Sequence, residues 1–187
     1  FFLSKNGHEN LNDELKATIE AFLSVDLKAE ESTRPQCRFP ARALFLKKSL
    51  PQVKWPVVSC ESYEKYHGAL KGVSASLVFS SYYLNNPSSA FGHTFLRINK
   101  APAANGRRYE LLDYGVNYAA NVDTNNVLIY GVKGMFGMFP GTFTNVPYYY
   151  KVREYNNAES RDLWEYELDI TQEEVDMLIA HLWELGP

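Results

Sequence analysis

Two runs of alternating apolar and polar residues, His93–Ile98 and Tyr109–Tyr118, flank a loop at Ala101–Arg107 that contains Asn105-Gly106. Asn-Gly supplies the positive φ that a tight reversal needs, and period-two alternation puts successive side chains on opposite faces of a strand. The three segments therefore predict an antiparallel hairpin, and a chain committed to that hairpin must build a sheet around it. Upstream, Val73, Ala75, Leu77 and Phe79 alternate with Ser74, Ser76 and Ser80 from Gly72 onward. Downstream, Tyr148-Tyr149-Tyr150 and Trp164–Leu168 read as further strands. The sheet is expected within residues 72–170.

Helices bracket it. Leu11, Leu15, Ile19, Phe22 and Leu23 recur at helical spacing and predict an opening helix over about 11–25. Thr171-Gln172-Glu173-Glu174 is a capping box, followed by Val175, Leu178, Ile179, Leu182 and Leu185 on one face, and predicts a closing helix over 172–185. Residues 30–56 are broken by Pro35, Pro40, Pro51 and Pro56 and read as an irregular, extended connector. Its Arg34, Arg38 and Arg42 suit solvated or salt-bridged roles, or the clamping of a carboxylate or phosphate. At 187 residues the chain is read as a single domain over 1–187, of α+β class, with a mainly antiparallel sheet flanked by helices.

Composition excludes several classes of function. An apolar fraction of 45% with 14% aromatic is too high for a disordered chain, and a net charge of −3 offers no broad attraction to nucleic acid. No apolar run approaches the ~20 residues that span a bilayer, and the first residues lack a signal-peptide pattern. Both ends, Phe1-Phe2-Leu3 and Leu185-Gly186-Pro187, read as cuts in a longer protein. His8, His67, His93 and His181 have no metal-ligand spacing, so no metal or other cofactor is expected. The glycines of 131–141 lack phosphate-loop spacing, and Glu184 has no acid partner of the kind a glycosidase needs.

The turn-rich Asn85–Ser89 delivers His93 onto its strand. Imidazole, with an ordinary pKa of ~6.5, suits a general base, although a structural histidine at a strand end is the simpler reading. Gly92 just before it permits close approach of backbone or ligand. Folding the hairpin about its loop brings His93 towards Asp113 or Tyr114, and Asp113, Gly115 and Asn117 share a face by parity. Asp113 or Asn117 is thus a candidate to orient the imidazole, against a plain turn or strand-end role for either. Gly131, Gly134, Gly137 and Gly141 punctuate Met135, Phe136, Met138 and Phe139. They read as a mobile apolar loop for an acyl chain or lipid surface, or as an irregular cover over the core. Cys37 and Cys60 are open to three readings: one disulfide, two buried thiols, or a nucleophile paired with His93.

Several ordered motifs carry a family resemblance. Gln36–Arg42, Asn86–Arg97, Val116–Ala120, Arg161–Tyr166 and His181–Leu185 together resemble, through nearly the whole chain, the periplasmic domain of the bacterial lipoprotein N-acyltransferase Lnb family. The resemblance implies a periplasmic or cell-envelope protein with a membrane-anchored parent, and a fold related to circularly permuted papain-like thiol enzymes. It implies His93 as general base, Asn117 or Asp113 as its orienter, and a nucleophilic Cys on a helix beyond the end of this chain, so that the fragment alone is inactive. The partners implied are a phospholipid acyl donor and a lipoprotein N-terminus, with membrane contact through the full-length protein. A Cys-His cell-wall peptidase or amidase, or a silent envelope module binding lipid or protein, are the alternatives.

Overall fold

The structure is a computed structural model that describes residues 1–26, 28–84 and 92–186. The Asn85–Ser89 turn expected before His93 lies outside the described residues. In chain order the elements are α1 (Leu11–Leu23), α2 (Pro35–Arg38), α3 (Pro40–Ser49), α4 (Glu61–Leu70), β1 (Gly72–Ser80), β2 (His93–Lys100), β3 (Tyr114–Ala120), α5 (Val127–Met135), β4 (Gly141–Pro147), α6 (Tyr148–Val152), β5 (Leu163–Glu167) and α7 (Gln172–Leu185). The fold is α+β, and the five strands among the described residues pair antiparallel throughout. By its contacts the chain forms two compact units, Phe1–Ala69 with Asp176–Glu184, and Leu70–Val175 with the residues from Leu185 on.

In the first unit Asn10 caps α1, accepting from the N–H groups of Asn12 and Asp13. The helix ends at Leu23, and its buried face is Glu14, Thr18 and Phe22, while Leu11 and Leu15 are exposed. The apolar stripe read from the sequence is therefore rotated, and Glu14 explains the rotation. Its carboxylate accepts from the Leu3 and Ser4 N–H groups and pairs with Arg42 Nη1 at 2.6 Å. Burial pushes this carboxyl up, but the two backbone donors and Arg42 together outweigh burial and hold it below its usual value.

The expected irregular connector at 30–56 is corrected by the structure, since α2 and α3 lie inside it and start on Pro35 and Pro40. Proline lacks an N–H that the first helical position does not use, and its fixed φ is already helical, so it opens helices as readily as it breaks them. Phe39 at the head of α3 offers no capping side chain. Glu184 of α7 takes that role, accepting the Arg42 N–H at 3.1 Å. Burial raises the Glu184 pKa, with that backbone bond and the charges of His181 and Arg42 pulling the other way. Phe22, Phe39 and Leu46 form the core of this unit, with Ile19, Leu50 and Trp55 against them. A disulfide joins Cys37 to Cys60, Cα atoms 5.2 Å apart, and Trp183 Nε1 donates to the Cys37 carbonyl at 2.8 Å.

The second unit holds the sheet, in the order β4-β3-β2-β1-β5. The β1 and β2 ladder runs from Gly72↔Lys100 to Ser80↔His93, and β2 pairs β3 at Leu96↔Val116. One sheet face lies under α6 and the π-helical turn Arg153–Ala158 that continues it, around a core of Val78, Phe95, Tyr148 and Tyr155. Ser76 and Ser80 on that face are buried while Leu77 is partly exposed, so the serine side of β1 is the deeper one. Polar partners explain this: Asn99 donates to the Ser74 and Ser76 hydroxyls, and Arg161 to that of Ser80.

Two further readings change. Tyr148–Tyr150 is helical because Pro147 closes β4, the Tyr148 N–H bonds the Asp113 carbonyl at 2.7 Å, and its ring enters the core. Packing overrides β propensity there. The stretch Gly131–Gly141 begins inside α5, which Asn126 caps through the N–H groups of Leu128 and Ile129. The capping box of α7 is formed, the Thr171 hydroxyl accepting from the Glu174 N–H and the Glu174 carboxylate from the Thr171 N–H.

Arg42→Met leaves Glu14 buried without its cation and is expected to lower the unfolding free energy by about 3 kcal/mol, measured by chemical denaturation. The Glu14 pKa in the fold lies below the unfolded value of 4.5. Its contribution is thus present above that value and disappears as the pH falls through the folded pKa. Replacing both Cys37 and Cys60 with serine reopens a loop of sequence separation 23. The expected loss is about 3 kcal/mol, read by the same unfolding curves.

Candidate active site at His93 and Asn117

His93 opens β2 opposite Ser80, the last residue of β1. Gly92 before it has φ +91°, and a Cβ there would sit 2.6 Å from the Ser80 carbonyl oxygen and 2.7 Å from the Phe79 ring. Only glycine meets both conditions, so the chain enters the strand along one path. Along β2 the alternation puts His93, Phe95, Arg97 and Asn99 on one face.

The half-buried His93 donates its Nε2–H to Oδ1 of buried Asn117. An amide oxygen only accepts, so Nε2 carries the proton, and whenever the ring is neutral its lone pair is on Nδ1. One nitrogen is anchored and the other is the base. The ring lies nearly parallel to Phe95, centroids 6.4 Å apart, and 6.2 Å from the Tyr155 ring. Burial first, then the Glu154 charge, push the Tyr155 phenol up to about 12, so it stays neutral beside the imidazole at physiological pH.

A second layer holds the histidine backbone. The Ser80 hydroxyl donates to the His93 carbonyl at 3.2 Å and accepts from Arg161 Nη2 at 2.7 Å. Arg161 is buried; it also donates to the Ser81 carbonyl at 2.6 Å and pairs with Glu159 at 2.9 Å, and its guanidinium lies 4.8 Å over the Tyr155 ring. It therefore ties the end of β1 and the start of β2 to the π-helical turn. Ser80, Tyr155 and Arg161 were not among the residues the sequence pointed to as a site. Arg161, an arginine two residues before the β5 strand, was the available signal.

The two orienter candidates separate. Asp113 precedes β3, accepts the Lys100 N–H at 2.9 Å and lies 3.7 Å from Arg97 Nε. Lys100 is seven residues along β2 from His93, roughly 23 Å at strand rise, so only Asn117 reaches the ring. The register is the cause: a 3-10 turn at Glu110–Leu112 takes up residues expected in the strand, leaving Asp113 at the far end of the ladder. Burial raises the Asp113 pKa, opposed by the Lys100 N–H and by Arg97. Met135, Phe136 and Met138 are exposed at and after the end of α5, whereas Phe139 packs 5.7 Å from the Tyr130 ring. The first unit holds a cavity of about 190 Å³ lined by Phe22, Trp55, Tyr63 and Cys60 among others. Among the described residues no group of three or more His, Cys, Asp or Glu is placed to hold a metal ion.

The antiparallel sheet with its His-Asn pair lies wholly within a segment shared with known proteins. The chain belongs to the Lnb N-terminal periplasmic domain family, which matches residues 62–187. A second family, a domain of unknown function termed DUF7843, matches residues 1–49 and takes in Gln36–Arg42. No curated protein and no solved structure matches the chain. This is a periplasmic domain of the cell envelope, and the Cys37–Cys60 disulfide suits an oxidising compartment. Among the described residues no helix is long and apolar enough to cross a membrane.

Asn117→Ala removes the acceptor that selects the tautomer. Nitrogen-15 NMR of the imidazole, at a pH where the ring is neutral, is expected to show a protonated Nε2 in the native protein. In the variant it should show a mixture of both tautomers.

Proposed function

We propose that this domain carries the general base of a thiol acyltransferase that N-acylates the lipidated N-terminal cysteine of bacterial lipoproteins. The observation that supports this most is the hydrogen bond from His93 Nε2–H to Asn117, which leaves Nδ1 as the base. A Cys-His-Asn constellation uses an imidazole held in this way. Membership of the Lnb periplasmic domain family supports the envelope setting. Cys37 and Cys60 are joined to each other, so the reading assigns the nucleophile to a cysteine beyond Pro187, on a fold related to permuted papain-like enzymes.

The chemistry balances in two halves. His93 takes the thiol proton, the sulfur attacks an ester carbonyl of a phospholipid, and a C–S bond forms as the ester C–O bond breaks. The departing oxygen recovers the proton from the imidazolium, leaving a thioester and a lysophospholipid. The lipoprotein α-amine then attacks the thioester; a C–N bond forms, the C–S bond breaks, and His93 passes the amine proton to the leaving sulfur. One ester and one amine become one alcohol and one amide. The exposed Met135, Phe136 and Met138 are assigned to the acyl chain, where exclusion of water favours attack by the amine.

In the full-length protein His93→Ala is expected to lower the acylation rate by a factor of ~100 or more. Asn117→Ala is expected to cost on the order of tenfold, the scale for losing a residue that orients another. Mass spectrometry of lipoprotein N-termini, in cells that depend on this protein, measures both. Undiminished N-acylation with His93→Ala would overturn the mechanism. Cleavage of muropeptides without acyl transfer would assign a Cys-His amidase instead.

A further inference from the structure

Helix α5 is built inside out. It has no buried residue, and Val127, Leu128, Ile129, Val132 and Met135, with Phe136 just beyond, range from 47% to 83% exposed. At 100° per residue these six side chains occupy an arc of about 200°, twice the width of the stripe by which a surface helix usually faces its core. The remaining sector carries Tyr130, Lys133 and Gly134. There Lys133 is turned back onto its own segment, bonding Asp123 at 2.8 Å and lying over the Phe139 ring, while Tyr130 packs on Phe139. The polar side of the helix is thus spent within its own segment, and the apolar side is presented outward.

Charge narrows what covers that side. From Tyr118 to Pro147 the only charged residues are Asp123 and Lys133, and these two are bonded to each other, so this stretch presents no net charge in a chain of net charge −3. A protein partner recognised by charge would find no group to pair with on the apolar arc, and a headgroup layer finds none to repel. Asn121, Thr124, Asn125 and Asn126 lead into the helix and add hydrogen-bonding groups without charge. A fluid hydrocarbon phase also accepts an arc of this width, whereas a groove for a helix takes a narrow row of anchors. At nine residues, about 13.5 Å long, α5 is far too short to span a bilayer and fits one lying along its surface.

We propose that this face of the domain docks on a lipid bilayer, with Leu128, Met135 and Phe136 entering the acyl region and the Lys133–Asp123 pair staying at the polar boundary. The contact is apolar and independent of lipid charge; it shares Met135 and Phe136 with the acyl-chain site of the proposed function, which would then lie at the bilayer surface, but it does not require His93 to act as a base.

Flotation of the 1–187 chain with phosphatidylcholine vesicles tests it. The native chain is expected to float equally well with phosphatidylcholine alone and with added phosphatidylglycerol, and to remain bound at high salt. Leu128→Glu with Met135→Glu should lower the bound fraction at least about tenfold. Leu11→Glu with Val57→Glu, which alters two apolar side chains 81% and 97% exposed in the first unit, should not. Met135→Cys carrying an environment-sensitive fluorophore should shift to the blue on vesicles, and Val57→Cys should not, which keeps the test independent of how the double variants fold. Failure to float, equal loss in the two double variants, or a requirement for anionic lipid abolished by salt would overturn the proposal. So would a lipid-free dimer that the Leu128→Glu and Met135→Glu changes dissociate, which would give this face to a second copy. His93→Ala should float like the native chain, so a failed acyltransferase reading and a failed docking surface give different results.

Discussion

The sheet is organised around the needs of one buried cation. Arg97 sits in mid-strand on β2, 6% exposed, where an unpaired guanidinium would be prohibitively costly. Its Nε donates to Asn99 at 2.8 Å, its Nη1 pairs with Glu165 of β5 at 2.9 Å, Asp113 lies 3.7 Å away, and the Tyr148 ring covers it at 5.0 Å. Asn99 passes the demand on to Ser74 and Ser76 of β1, and the Tyr148 hydroxyl donates to the same Glu165. Satisfying one side chain thereby fixes three strands, the approach to β3 and the seating of α6. Because α6 continues into the turn that carries Tyr155, the surroundings of His93 depend on an ion pair four residues further along the strand.

Periodicity carried the parts of the fold that face a single environment. The alternation of His93–Ile98 and the capping box at Thr171 correspond to β2 and α7 because each local signal agrees with the packing around it. Where a residue has two uses, the sequence was less legible. Pro35 and Pro40 have the local signature of breakers and are helix starters, and the tyrosines of 148–150 have strand propensity and are turned into a helix by Pro147 and by burial. The alternation of β1 does not say which of its faces is the deeper one, because the partners that bury its serines, Asn99 and Arg161, come from distant positions that no local pattern announces.

The same distinction runs through the site. His93 and Asn117 were visible as a polar residue at a strand mouth and another at matching parity, both local properties. The separation of Asn117 from Asp113 was not visible, because it depends on a 3-10 turn that removes three residues from the second strand. Arg161 was hidden for a different reason. It acts through the Ser80 hydroxyl and the backbone, so its importance lies in where its hydrogen bonds end.

The π-helical turn at Arg153–Ala158 closes with the Glu159 N–H on the Glu154 carbonyl at 3.2 Å, and just beyond it the Arg161 N–H reaches the Tyr155 carbonyl at 2.8 Å. A turn of this kind holds one residue more than an α-helical turn, so everything after it is out of phase by one position. Length in this short segment is therefore a matter of angle: removing a single residue would swing Tyr155 and Arg161 around the helix axis relative to one another, away from the imidazole and from Ser80. The loop at Ala101–Arg107 joins two strands whose register is set elsewhere and absorbs changes of length without such rotation. Among related chains, length should accordingly vary freely at the hairpin and be held constant over a few residues beside the histidine, even where the identities of those residues change.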